Sequence, residues 1–145
     1  MQSHHKTFLL NLDANQTPHS GRVLYDHLKG VHDLLRDWDN GMDVFMAGLF
    51  HSIYGTSTFK HQSLKDRGEL IKLIGVKAEL LVHYFATKTR PMFEDVEDEG
   101  IRKQLMEIEA ANLLEQGSTS RNWLNKLARQ KLSDGARAGL HRGMM

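Results

Sequence analysis

A chain of 145 residues is long enough to bury one hydrophobic core and too short for two. Its 40% hydrophobic and 26% charged fractions exclude a disordered or fibrous chain. The absence of cysteine excludes disulfides and thiolate chemistry, and a net charge of +1 leaves no whole-molecule field to attract nucleic acid or an acidic membrane.

Helix-period apolar spacing runs through most of the chain with no alternating strand pattern, so the expected fold is all-α, a bundle of about six to seven helices in a single domain over 1–145. A short first helix is expected over His4 to Ala14, ahead of the loop Asn15-Gln16-Thr17-Pro18. Its run Phe8-Leu9-Leu10-Asn11-Leu12 is too short and too polar for a signal-peptide core. No stretch reaches the ~20 apolar residues of a membrane span, so a cytoplasmic protein off the membrane is expected. The second helix, Gly21 to Trp38, places Leu24, His27, Leu28, Val31, Leu34, Leu35 and Trp38 on one face. The third, Asp43 to Tyr54, is apolar almost all round and should be buried centrally.

Ser63, three residues before Asp66, reads as the cap of a fourth helix ending at Ile74. Gly75 separates it from a fifth, Val76 to Lys88, which Pro91 stops. The sixth, Gly100 to Gln116, carries Ile101, Leu105, Ile108, Asn112 and Glu115 along one stripe and ends at Gly117. A seventh spans Arg121 to Leu132, and the glycine-containing remainder, 133–145, is expected to be a loose tail. The acidic knot Glu94 to Glu99 and the basic stretch from Arg121 onward read as solvated faces. Without aromatic interleaving the latter gives no nucleic-acid surface.

Four polar residues stand where the period calls for core: His27 on helix two, His51 and Ser52 in helix three, and Asn112 on helix six. Burying such a group is costly unless it is satisfied, so each needs a reason to be there. Histidines from two packed helices can converge on one ion, since neutral imidazole binds Zn, Fe or Mn. Taken singly, each also reads as a hydrogen-bonded core residue. Arg22 and Arg67 offer guanidinium forks to an anionic small-molecule ligand, although Arg67, on the stripe Leu64, Leu70, Ile71 and Ile74, could equally pair with Glu79.

The segments Tyr25-Asp26-His27-Leu28, Ala47-Gly48-Leu49-Phe50-His51-Ser52 and Glu109-Ala110-Ala111-Asn112 resemble, in order and spacing, the HD superfamily of metal-dependent phosphohydrolases. The closest likeness is to hydrolase domains acting on guanosine-polyphosphate alarmones. It is carried by His19-Ser20-Gly21 before His27 and by Ile74-Gly75-Val76-Lys77-Ala78-Glu79-Leu80-Leu81-Val82 with Thr87-Lys88, and covers roughly residues 15 to 116. His-Ser-Gly-Arg and Phe-His-Ser-Ile-Tyr-Gly-Thr are also similar to a bacterial family of no assigned activity.

The HD resemblance implies a divalent metal (Mn, Fe or Zn) held by His27, His51 and Asn112. His19, Arg22, Ser52, Tyr54, Thr56 and Arg67 would then lie about an anionic phosphorylated or nucleotide-like substrate. Ser52 and Asn112 stand where the family has its two aspartates, and Gly55-Thr56-Ser57-Thr58 replaces an acidic pair, so the resemblance implies a weakened metal site with no obvious base. A catalytically inactive HD fold that binds a small molecule or a partner, including a second copy of the chain, is the alternative. An HD-type iron oxygenase recruiting His61 and His83 is a further one.

Overall fold

A computed structural model describes residues 2–11, 18–19, 22–55, 66–118 and 120–145, with only the backbone of 18, 19 and 22. The fold is all-α, with eight helices among the described residues rather than six to seven. Helix α1, Ser3–Asn11, leads to two two-residue strands, β1 (Pro18–His19) and β2 (Arg22–Val23), paired antiparallel with Pro18 opposite Val23. There follow α2 (Leu24–Asp37), α3 (Met42–Leu49), α4 (Arg67–Ile74), α5 (Val76–Thr87), α6 (Glu99–Glu115), α7 (Arg121–Ala128) and α8 (Asp134–Gly143). Leu12 to Ala14, expected in the first helix, and Ser63, expected as a cap, lie outside the described residues.

Local chemistry sets most boundaries. Asp66 caps α4 by accepting from the Gly68 amide, and Asp98 caps α6 by accepting from Ile101, each at 2.9 Å. Gly75 (φ 92°) and Gly117 (φ 70°) hold the left-handed conformation in which a Cβ would be strained, breaking α4 from α5 and ending α6. Helix α3 stops at Leu49, five residues earlier than expected, so His51 and Ser52 sit in the turn after it. There the Gly48 carbonyl, which a continuing helix would offer to residue 52, accepts from the His51 amide at 3.4 Å and from the His51 ring at 2.8 Å.

The core lies between α2, α3, α5 and α6. Val31, Leu35, Ala47, Leu49 and Phe50 from α2 and the α3 region meet Val82, Phe85, Leu105 and Ile108 from α5 and α6. Helices α2 and α3 approach closely because Gly48 has no side chain: a Cβ there would stand 2.4 Å from Leu35. Every residue from Leu105 to Leu113 is buried, charged ones included, so α6 is the central post of the bundle.

The loose tail expected over 133–145 is instead an ordered helix, and the seventh helix ends at Ala128 rather than Leu132. Ser133 caps α8 by accepting from the Ala136 amide, and its own amide and hydroxyl donate to buried Glu107 at 2.9 and 2.6 Å. Glu107 also accepts from Asn40 in the α2–α3 turn, so one carboxylate joins three segments. Gly135 lets α8 sit against Trp38, and Leu140 is fully buried.

Candidate functional site

His27 projects from the buried face of α2, His51 from the turn after α3, and Asn112 from the middle of α6; none is more than 4% exposed. The three sequence-predicted metal residues meet. Asn112 Oδ1 lies 2.8 Å from His27 Nε2 and 3.1 Å from His51 Nε2, and the two rings are 5.3 Å apart at 73°. The outer edge of each ring is anchored: His27 Nδ1 lies 2.8 Å from Glu115 Oε1, and His51 Nδ1 lies 2.8 Å from the Gly48 carbonyl. Phe85 packs edge-on against His51 at 5.1 Å.

The anchors determine the tautomers. A carboxylate and a carbonyl can only accept, so each Nδ1 carries a proton and donates it. In the neutral rings both Nε2 atoms are then lone-pair donors, and both aim at a third oxygen lone pair. Orienting a metal-binding imidazole through its far N–H is what outer partners do in metal sites. The residues present therefore fit a divalent cation, with His27 Nε2, His51 Nε2 and Asn112 Oδ1 as donors. None of the three is an anionic ligand, so compensating charge for a cation would come through carboxylates behind them, among them Glu115 behind His27.

The hydroxyl of Ser52, next to His51, is buried and has no hydrogen-bond partner among the described residues. Native folds rarely leave such an atom unsatisfied. Among the described residues, no three His, Cys, Asp or Glu side chains form a metal-holding group, so His83 does not join His27 and His51 in one. His61 and Thr56 lie outside the described residues, and His19 and Arg22 are described by their backbone alone, at β1 and β2.

Tyr54 and Arg67 belong to a second cluster, built on Glu79 of α5. Glu79 is 1% exposed and accepts from Arg67 Nε and Nη2 and from the Tyr54 hydroxyl, each at 2.8 Å. The guanidinium picked for an anionic ligand is thus held by this chain's own carboxylate, while its side chain stays 44% exposed. Burial alone would raise the Glu79 carboxyl; the Arg67 and Tyr54 hydrogen bonds outweigh it and hold it below its ordinary value. Burial first, then the same carboxylate, pushes the Tyr54 hydroxyl up.

Residues 8–90 match the family of the domain of unknown function DUF6817, which covers more than half of the chain. The chain belongs to this family. No curated protein and no solved structure matches it. The family segment contains both histidines, Ser52 and the Glu79 cluster; Asn112 and Glu115 lie beyond it on α6.

Sequence reasoning missed the groups that surround Asn112. The Asn112 amide donates to Glu109 Oε2 at 3.0 Å, and Glu109, fully buried, receives Arg90 Nε and Nη2 at 2.6 and 2.8 Å. The Arg90 guanidinium lies over the rings of Phe85 and Trp123, at 4.7 and 5.3 Å. Glu109, Asn112 and Glu115 follow one another at intervals of three along a buried helix. That polar i, i+3 series was the available signal.

Proposed function

We propose that the chain is an HD-like metal-dependent hydrolase domain in which His27, His51 and Asn112 hold one divalent ion, acting on a small phosphorylated or nucleotide-like molecule. The observation that carries the reading is the meeting of two imidazole Nε2 atoms and an amide oxygen in a buried centre, with both Nδ1–H groups anchored away from it. Two imidazoles with an amide oxygen suit Mn, Fe or Zn better than Mg or Ca. When bound, such an ion supplies Lewis acidity toward a phosphoryl oxygen. The chain's own residues orient the rings and exclude water, and the Ser52 hydroxyl, without a hydrogen-bond partner among the described residues, offers one further polar contact to an ion or substrate. His19, Arg22 and Thr56 are the candidates for the anionic end of the substrate, with Tyr54 and Arg67 at its rim.

One observation favours a second reading, a metal or small-molecule binding domain without turnover. Glu109 and Glu115 are already engaged by Arg90 and His27, so neither is placed as a general base.

The test is metal content after reconstitution with Mn, Zn or, without oxygen, Fe, followed by assay against a panel of phosphate esters and nucleotides. Near-stoichiometric metal that is lost in His51→Ala, with hydrolysis of a panel member lost in the same variant, is expected. Retained metal with no turnover on the panel would favour the binding reading. Wild-type protein that takes up no metal would overturn both metal readings.

A further inference from the structure

We infer that Glu109, clamped by Arg90, is a positioning residue that sets which face of the Asn112 amide the two histidines meet, and with it the centre's preference for a cation. The inference deepens the metal reading above and rests on it for its binding consequence. A primary amide can present either its oxygen or its NH2 group to a neighbour, and the two have nearly the same shape. With NH2 turned inward, Asn112 would donate to both Nε2 lone pairs and close the centre as a neutral hydrogen-bonded set. With oxygen turned inward, Asn112 offers both Nε2 atoms a lone pair in place of a donor, an arrangement that suits a cation.

The choice is made on the other side of Asn112. Glu109 is fully buried and receives two hydrogen bonds from Arg90, whose side chain is 3% exposed. A carboxylate whose two oxygens both receive guanidinium N–H groups has acceptor lone pairs to offer, so the Asn112 atom 3.0 Å from its Oε2 must be the donating nitrogen. The oxygen is then left to face His27 and His51. Arg90 is fixed in turn by the Phe85 and Trp123 rings, and Phe85 also packs on His51. An amide can therefore stand in for an aspartate only while Glu109 holds it one way round.

The experiment has two arms. In metal-free wild type, nuclear Overhauser contacts from the Asn112 side-chain amide protons should reach the Glu109 methylene and not the ring Hε1 protons of His27 or His51; amide protons on the imidazoles would overturn the inference. In the second arm, Zn2+ alone is titrated against a competing chelator. Glu109→Gln, whose amide can pair with Asn112 in either sense, should weaken binding by about tenfold or more, the range seen when outer partners of a metal site are removed. The double variant Glu109→Gln with Asn112→Asp keeps the same net charge and supplies oxygen on both faces, and should recover wild-type affinity or better. Glu109→Gln that is folded and binds Zn2+ like wild type would overturn the inference, as would a double variant that fails to recover. A wild type that binds no zinc counts against the metal reading alone, and the amide contacts then decide the orientation.

Discussion

Gly30 leaves a space on α2 that the end of Glu115 fills: a Cβ there would meet Glu115 Oε2 at 2.5 Å and its Cγ at 2.6 Å. The glycine lies one turn after His27, so its bareness is what lets the carboxylate reach the ring. Gly30→Ala should therefore separate stability from binding. Alanine gains up to about 1 kcal/mol of helix propensity, while Glu115 swings aside and His27 loses its anchor. A melting temperature at or above wild type, with zinc affinity about tenfold weaker, is expected from thermal scans and chelator competition. At this scale the sequence showed His27, His51 and Asn112 because a polar side chain on an apolar stripe is conspicuous. It also offered Glu79 as a partner for Arg67, the pairing the structure has. It did not show Glu107 and Glu109, because a glutamate on a helix reads as solvated until its distant partner is known, and their partners stand 67 and 19 residues away.

Helices were legible from apolar period, and their ends less so, because ends answer to single hydrogen bonds. The Asp66 cap and the His51 ring on the Gly48 carbonyl moved two boundaries that periodicity alone placed elsewhere. Histidines buried or half-buried on three helices carry a consequence for acid stability. On α2, His32 is 1% exposed, donates Nδ1–H to Asp33 at 2.8 Å and keeps a buried Nε2 with no hydrogen-bond partner among the described residues. Burial pushes it below its ordinary 6.5, against the pull of Asp33. Burial, then His4, lowers His5 on α1, and burial, then Arg67, lowers His83 on α5.

A histidine whose folded value is depressed stabilises the fold above its unfolded value, and that contribution is lost as pH falls, because the unfolded chain takes the proton first. Stability should therefore decline as pH drops from 6.5 toward 4.5, the ordinary value for Glu79 and the point below which carboxylates join in. Each of the three imidazoles can contribute a slope of at most about 1.4 kcal/mol per pH unit. Urea unfolding across that window should show a shallower slope in His32→Phe; an unchanged slope would exclude His32 as a contributor.

For the whole molecule, the all-α bundle was readable and its final helix was not. Residues 133–145 look loose because they hold three glycines, yet Gly135 and Gly139 are where α8 closes on Trp38 and Leu114. Removing residues 133–145 would uncover Leu124, Leu127 and part of α6 and strip Glu107 of its Ser133 bonds. Loss of buried Leu140 alone costs about 2 kcal/mol, and loss of both Ser133 hydrogen bonds to Glu107 adds about 1–3 kcal/mol. A truncated chain should melt well below the full one, and equal melting temperatures would show α8 to be dispensable. Among the described residues, no helix is long and apolar enough to cross a membrane.

The position of α6 also bears on inheritance. The family segment, 8–90, brings both histidines but ends before the helix that completes their centre. Spliced into another protein, that segment would arrive as half a site. Its new host would have to supply a central helix with an oxygen donor and a carboxylate three residues apart before the histidines could act together.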